Sequence, residues 1–207
     1  MGATFYVSGM DAYTRTDWQT LRAIKGHGFE IGFNGLARRR AREATMSLDD
    51  SRRMDPVPYD NLEEWYKDEV EAGLRLLKWH GIRPVNYAYP FDSHSDESDV
   101  ILLERFNTLR LGVPNVYKGG ILPRLFGSVD FGREPTHAYC GQERVVKAAI
   151  EMGGIVAVHM REPLRNRLEW LYKMKREHGL AVTSVERAYG LFGGQACLSG
   201  EVRSADQ

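Results

Sequence analysis

The run Ile155–His159 is the part of the sequence that most constrains the fold. Four consecutive apolar residues precede the histidine, and an unbroken apolar run of this kind is typical of a parallel strand buried on both faces. A second strand is predicted at 30–34, where two apolar residues flank a glycine and Asn34 comes at the carboxyl end. Parallel strands need connections long enough to hold a helix. The sequence therefore predicts an α/β fold.

Further segments alternate between strand-like and helical patterns. β-Branched and aromatic residues predict strands at 3–7, 85–89, 108–113 and, briefly, 181–183. Apolar spacing predicts helices at 16–25, 60–80, from about 97, at 142–152 and at 164–178. Capping boxes at Thr16 and Asp60 mark the start of the first two, and Ser95 or Asp96 is expected to cap the third. The segments 36–59 and 119–130 carry turn residues without periodicity and are predicted to be loops.

The composition places few restrictions on function. A chain of 207 residues can form one domain with a substantial core, and we expect this domain to span 1–192, followed by a polar tail at 193–207. With 28 basic and 28 acidic residues, no general attraction to nucleic acid or to an anionic membrane is expected. The sequence contains neither an apolar run of membrane length nor a recognisable amino-terminal signal. A cytoplasmic location is the default expectation.

The stretch His27–Arg38 reads His-Gly-Phe-Glu-Ile-Gly-Phe-Asn-Gly-Leu-Ala-Arg. It resembles the second motif of the polysaccharide deacetylase superfamily (NodB-homology fold, carbohydrate esterase type), Gly-His-Glu-Ile-x-x-His-Ser/Thr-x-x-His, whose last two histidines hold a divalent metal. Asn34 stands where the first of them would be, and Arg38 where the second would be. An amide oxygen is a poor zinc ligand and a guanidinium cannot bind a cation. The resemblance thus implies the frame of the motif without its metal ligands, and no cofactor is expected.

Three more segments resemble the family in the same order along the chain. Ala88-Tyr89-Pro90-Phe91 resembles the third motif, which forms one wall of the substrate groove. Leu122-Pro123-Arg124 resembles a segment that brings an arginine to the groove in some deacetylases, and Ile155–His159 resembles the fifth motif, whose histidine is the general acid. The resemblance therefore implies that Tyr89, Pro90, Phe91 and Arg124 bind substrate, and that His159 occupies the general-acid position. For Tyr87 and Tyr89, packing in the core is equally consistent with the sequence.

Two polar clusters add candidate contacts to a ligand. The residues 92–96 combine carboxylates with an imidazole but match no strong metal-ligand template. They are predicted to form a loop that caps the next helix, with Asp92 and His94 as possible substrate contacts. Four arginines between 38 and 42 could hold phosphate, uronate or sulfate, although a solvated charged run is the simpler interpretation.

The resemblance covers about residues 3–190 and implies an irregular (β/α) barrel that lacks its first strand. In the family this strand ends in Thr-Phe-Asp-Asp and supplies the general base and a metal ligand. A missing strand leaves an open edge of the sheet. We expect this edge to be covered by a second copy in a homo-oligomer or by the segment 193–207. A misplaced start of the gene or a fragment would explain the same observation.

Two functions follow from the resemblance. In the first, the protein is degenerate at the metal site and keeps a groove for an N-acetylated or anionic carbohydrate, with Arg38 replacing the charge of the metal. In the alternative, it is an active hydrolase of the N-acetyl (non-peptide C–N) bond of a sugar or polysaccharide. That activity would use a zinc-type metal in a relocated or incomplete site formed by Asp92, His94, His159 and His137. Nucleic-acid binding by the arginine cluster is the weakest hypothesis, because the net charge is zero.

Overall fold

A computed structural model of the chain describes residues 2–41, 61–111, 116–117, 122–130, 138–159 and 165–193. The strands are β1 (Thr4–Val7), β2 (Glu30–Phe33), β3 (Asn86–Ala88), β4 (Thr108–Leu111), β5 (Val116–Tyr117), β6 (Leu125–Asp130) and β7 (Ile155–His159). The helices are α1 (Arg15–Gly26), α2 (Leu62–Trp65), α3 (Ala72–Trp79), α4 (Asp96–Arg105), α5 (Ala138–Glu151), α6 (Arg165–His178) and α7 (Val185–Phe192). A π-helical turn, Tyr66–Glu71, joins α2 to α3.

The strands form one sheet in the order β1-β2-β3-β4-β6-β7-β5. Neighbours from β1 to β7 run parallel, and β5 joins the outer side of β7 in the antiparallel direction. The sheet curls into a half-barrel, so the predicted α/β class and incomplete (β/α) barrel are confirmed. β1 is the outermost strand on its side, and the covering of its free edge by another copy or by residues 193–207 stays a prediction.

The core lies between the sheet and the helices on one of its faces. Val7, Phe33, Tyr87 and Leu109 are neighbours in register across β1 to β4, and all are buried. Each such apolar side chain contributes about 2 kcal/mol when it leaves water. Gly73 lets α3 approach closely, because a Cβ at this position would collide with the ring of Phe33.

A chain of polar side chains crosses the same four strands near their amino ends. Thr4 Oγ1 donates to Glu30 Oε2 at 2.5 Å, the Asn86 amide donates to Glu30 Oε1, and Thr108 Oγ1 donates to Asn86 Oδ1 at 2.6 Å. The amino end of α7 closes the network, since Glu186 N–H donates to Glu30 Oε2 at 2.9 Å. The network therefore fixes the last described helix to the first strands of the sheet.

Several sequence predictions of secondary structure are wrong. The segment 125–130, predicted to be a loop, is the interior strand β6, because pairing with both β4 and β7 outweighs the weak local signal around it. The segment 181–183 is not a strand, and Val182 carbonyl accepts one hydrogen bond, from Gly2 N–H, at 3.0 Å. The helix α7 that follows was not predicted; Ser184 caps it by accepting from Arg187 N–H. β7 is half-buried along its length rather than fully buried.

The helix caps also differ from the predictions. The capping box of α1 joins Thr14 to Asp17 rather than starting at Thr16, and α2 is capped by Asn61, which accepts from Glu64 N–H at 2.8 Å. Ser95 caps α4, as one of the two alternatives predicted. Asp60 and the polar tail after Gly193 lie outside the described residues.

Candidate functional site

The carboxyl ends of β2 and β3 meet at Asn34, the first residue after β2. Its backbone N–H donates to Val7 carbonyl at 2.9 Å, and its side-chain amide donates to Ala88 carbonyl at 2.8 Å. Asn34 thereby ties together the ends of β1, β2 and β3. Because its amide N–H₂ donates to a strand carbonyl, the Asn34 side chain stabilises the sheet at this position.

A buried carboxylate holds the loop that follows Asn34. Glu69 is 1% exposed, and its side chain accepts from Ala37 N–H at 3.0 Å and from Arg39 N–H at 3.2 Å. The Glu69 carbonyl accepts from Leu36 N–H at 3.0 Å, and Arg39 Nε lies 3.7 Å from Glu69 Oε1. These contacts set the course of the backbone that carries Arg38.

Glu69 was missed by the sequence analysis, although the sequence holds a signal for it. It lies four residues after Trp65 and eight before Leu77, which are both buried, so an acidic residue occupies a core position of the predicted helix. The helix takes the wider π-turn at this residue, a feature that often marks functional sites. Burial, the largest effect, raises the pKa of the Glu69 carboxyl, and hydrogen bonds from Arg39 and Ala37 N–H oppose the rise.

Phe91 and two arginines form the exposed part of this end of the sheet. The guanidinium carbons of Arg38 and Arg40 lie 5.1 Å and 5.2 Å from the centre of the Phe91 ring, within the range of cation–π attraction. Arg38, Phe91 and Asp92 have positive φ angles of 61°, 57° and 56°. Left-handed backbone costs such residues about 1–3 kcal/mol each and tends to cluster at functional sites.

Asp92, which follows Phe91, lies close to Arg110 and Ser128 on the next strands of the sheet. Arg110 Nη2 of β4 lies 3.6 Å from Asp92 Oδ1, and Arg110 Nη1 donates to Ser128 Oγ of β6 at 2.9 Å. Arg110 was not among the predicted site residues, because a single arginine in a strand carries no distinctive pattern. It connects β3 to β4 and β6 near their carboxyl ends.

His94 and Tyr89 share the carboxylate of Asp99. Tyr89 Oη donates to Asp99 Oδ1 at 2.7 Å, and His94 Nδ1 lies 3.1 Å from Asp99 Oδ2. The hydrogen bond to Asp99 is the largest effect on the pKa of His94, and it raises this pKa. Tyr89 is fully buried and packs edge-on against Tyr87, so its ring has no surface for a sugar. Both Tyr87 and Tyr89 therefore pack in the core, which is the alternative that the sequence had left open.

Arg124 does not lie in a groove at this end of the sheet. It precedes β6 and therefore lies at the amino end of that strand. Its guanidinium donates to the carbonyls of Leu103, Phe106 and Asn107, which follow or end α4. Arg124 thus holds the carboxyl end of a helix, and its implied role in binding substrate stays a prediction. Pro90 is buried as well and shapes the turn that exposes Phe91.

His159 ends β7, where it is half-buried and lies in register with Asp130 of β6. β4 and β6 lie between β3 and β7, so three strand spacings, about 14 Å along the sheet, separate β7 from the strand that leads to Asp92 and His94. His137 is outside the described residues. Within the described ranges, no group of three or more His, Cys, Asp or Glu side chains could hold a metal ion.

Comparisons with known proteins support the fold. No family model matches the sequence, and no curated protein matches it. Among solved structures, a CE4 family pseudoenzyme from Bacillus anthracis is 13% identical, with a TM-score of 0.55 over 91% of this chain and 55% of that one. A mutant of that pseudoenzyme with restored enzymatic activity gives 0.56 at 13% identity, over 91% of this chain and 57% of the mutant.

A third similar structure is the Xyl-CE4 domain of a multidomain xylanase from the hindgut metagenome of Trinervitermes trinervoides. It is 11% identical, with a TM-score of 0.51 over 92% of this chain and 77% of that one. The chain thus spans a little over half the length of the first neighbours it resembles. At these identities the likeness establishes the fold, and the predicted fold of polysaccharide deacetylase type is confirmed. Among the described helices, none combines the length and apolar character needed to cross a membrane.

Proposed function

We propose that the chain is a carbohydrate-binding protein with the polysaccharide deacetylase fold, in which the metal-dependent chemistry of that family is lost. The observation that carries the proposal is the pair Asn34 and Arg38. These residues stand at the two positions where the resemblance places metal-binding histidines, and both have other contacts. Asn34 donates to Ala88 carbonyl, and Arg38 lies over the Phe91 ring.

The residues at these positions do not fit a divalent cation. The amide of Asn34 presents a donor to the strand and offers at most one weak oxygen ligand. The guanidinium of Arg38 carries a permanent positive charge that repels a cation. Glu69, the buried carboxylate of the π-helical turn that holds this loop, already accepts from two backbone N–H groups.

The same residues suit a sugar. Phe91 is 39% exposed and offers an apolar ring edge to the C–H face of a pyranose. A guanidinium stacked on a ring keeps its N–H groups in its own plane, where they can donate to hydroxyl or carboxylate oxygens. Because Glu69 fixes the loop and Pro90 fixes the turn, these side chains are held in place before a ligand arrives, which lowers the entropic cost of binding.

The solved structures offer a precedent for a CE4 fold without activity. One of them is a CE4 pseudoenzyme, and a mutant of that protein has restored enzymatic activity. This precedent supports a loss of catalytic activity in the present chain, and in the proposed binding role His159 acts as a hydrogen-bond donor to the ligand. The alternative hydrolase would need Asp92, His94 and His159 to act together, whereas Asp92 contacts Arg110 and His94 contacts Asp99.

The test combines binding with metal analysis. Calorimetric titration with acetylated chitotetraose is expected to give binding that Phe91→Ala weakens about tenfold, or ~1.4 kcal/mol. Trp79→Ala serves as the matched control, since this ring is 87% exposed at the end of α3 and should not affect affinity. Purified protein should carry no stoichiometric zinc, and added zinc or cobalt should not induce amide hydrolysis. Hydrolysis that a chelator abolishes would overturn the proposal.

A further inference from the structure

Arg110 uses only one side of its guanidinium fork for a close hydrogen bond. Its side chain is 12% exposed, Nη1 donates to Ser128 Oγ at 2.9 Å, and Cζ lies 5.9 Å from the centre of the Tyr6 ring. The charge is therefore largely removed from water and held at a fixed place between strands. A buried guanidinium of this kind needs acceptors for its remaining N–H groups.

The other edge of the fork, formed by Nε and Nη2, lacks a close acceptor. Nε is buried and has no hydrogen-bond partner among the residues that the structure describes. Nη2 is 3.6 Å from Asp92 Oδ1, which is too long for a hydrogen bond. Two parallel N–H groups on one edge match the two oxygens of a carboxylate, and such bidentate pairs are among the strongest hydrogen-bonded contacts in proteins.

The carboxylate of Asp92 lies beside this edge and is half-exposed. Its side chain is 48% exposed, and its backbone has a φ of 56°, a conformation that aspartate tolerates only at some cost. It follows directly after Phe91. An acidic group of a ligand bound at Phe91 is thus within reach of Arg110 once the Asp92 side chain turns towards solvent.

A second buried donor lies beside Arg110. The Tyr6 hydroxyl is buried and has no hydrogen-bond partner within the described part of the chain. Burial, the largest effect, and the charge of Glu30 raise the pKa of Tyr6, so the hydroxyl keeps its proton. Tyr6 and Arg110 together make this side of the sheet rich in donors without matching acceptors.

We propose that the Nε–Nη2 edge of Arg110 binds the carboxylate of an acidic sugar of the hexuronate class, and that Asp92 is displaced when this carboxylate binds. The inference rests on the proposed function, because it needs the sugar ring to lie at Phe91. It goes further by naming the charged class of carbohydrate and the residue that recognises the charge.

The test compares two ligands that share their sugar rings and differ in charge. Trigalacturonate and its trimethyl ester have the same rings, and only the free acid offers carboxylates to Arg110. Calorimetric titration should give about tenfold tighter binding of the acid. Arg110→Gln should remove this preference, so that acid and ester bind with equal affinity, whereas Arg110→Lys, which keeps the charge but lacks the two-pronged edge, should reduce it. Asp92→Asn should strengthen binding of the acid several-fold, because the competing carboxylate is gone and asparagine tolerates the left-handed backbone.

The controls separate this inference from the proposed function. Arg75→Gln removes an arginine that is 67% exposed and paired with Glu71, and it should leave the preference for the acid unchanged. Equal affinity for acid and ester in the unmodified protein would overturn the role of Arg110 but leave carbohydrate binding intact. Binding of neither the galacturonates nor acetylated chitotetraose would overturn both proposals. A preference for the acid that survives undiminished in Arg110→Gln would assign the charge recognition to another residue and overturn the inference.

Discussion

A Cβ atom added to Gly35 would lie 2.9 Å from Glu69 Oε2. The loop after β2 can pass this close to the buried carboxylate only because residue 35 has no side chain. The backbone there also has a φ of +76°, which glycine adopts without strain. The position of Arg38 at the candidate site thus depends on a helix more than thirty residues further along the chain.

Gly35→Ala should destabilise the protein by about 2 kcal/mol, because it combines a left-handed backbone with a contact to Glu69. Urea denaturation followed by circular dichroism measures this change. Gly26→Ala is the control, since Gly26 lies in α1 with no atom within 4 Å of its added Cβ and alanine favours helix. Equal stability of Gly35→Ala and the unmodified protein would show that the loop does not depend on this contact.

Glu69→Ala should cost about 3 kcal/mol, since it removes the acceptor of two partly buried backbone N–H groups and the hydrogen-bonded charge itself. Glu69→Gln keeps an acceptor oxygen and removes the charge. The raised pKa of Glu69 means that the folded state binds this proton more tightly than the unfolded chain. The stability from this group is therefore present below about pH 4.5, its ordinary pKa, and is lost as the pH rises through the raised value.

The comparison across pH distinguishes the two Glu69 variants. Glu69→Gln should gain stability relative to the unmodified protein as the pH rises from 4.5 towards neutrality, whereas Glu69→Ala should be less stable throughout. Free energies of unfolding in urea between pH 4 and pH 7 give the result. A constant difference between Glu69→Gln and the unmodified protein would contradict the effect of burial on this carboxyl.

Asn86→Ala should cost about 3 kcal/mol, because it removes a donor to Glu30 and the acceptor of the Thr108 hydroxyl in a fully buried network. Asn107→Ala, at an exposed side chain of the next loop, should stay within about 0.5 kcal/mol. Thermal and urea unfolding of both variants provide the measurement. Similar losses for the two substitutions would show that the network contributes little.

The pKa of His94 is raised from 6.5, mainly by the hydrogen bond to Asp99. Folding therefore favours the protonated imidazole, and the stabilisation is fully present below pH 6.5 and lost as the pH rises through the raised pKa. His94→Gln should lack this decline in the free energy of unfolding above pH 6.5. NMR titration of the His94 ring protons checks the direction directly; a midpoint below 6.5 would refute it.

Most elements of the fold were predictable from local patterns. The alternation of apolar residues in β2 and the apolar run of β7 identify these segments as strands even when the strands they pair with are unknown. β6 and α7 were missed for the same reason: each depends on contacts with residues distant in sequence. Pairing on both sides gives β6 its structure, and contacts of Glu186 N–H with Glu30 help to anchor α7. Neither kind of contact produces a recognisable pattern in the neighbouring sequence.

The sequence by itself determined the α/β class and placed Asn34 and Arg38 where the resemblance calls for histidines, because residue type and order are local properties. Only the tertiary structure decided that Tyr89 belongs to the core, that Arg124 holds a helix end, that Glu69 holds the loop of Arg38 and that Arg110 lies beside Asp92. The reason is that the burial and hydrogen-bond partners of a side chain depend on strands and helices distant in sequence, which meet only when the sheet has formed.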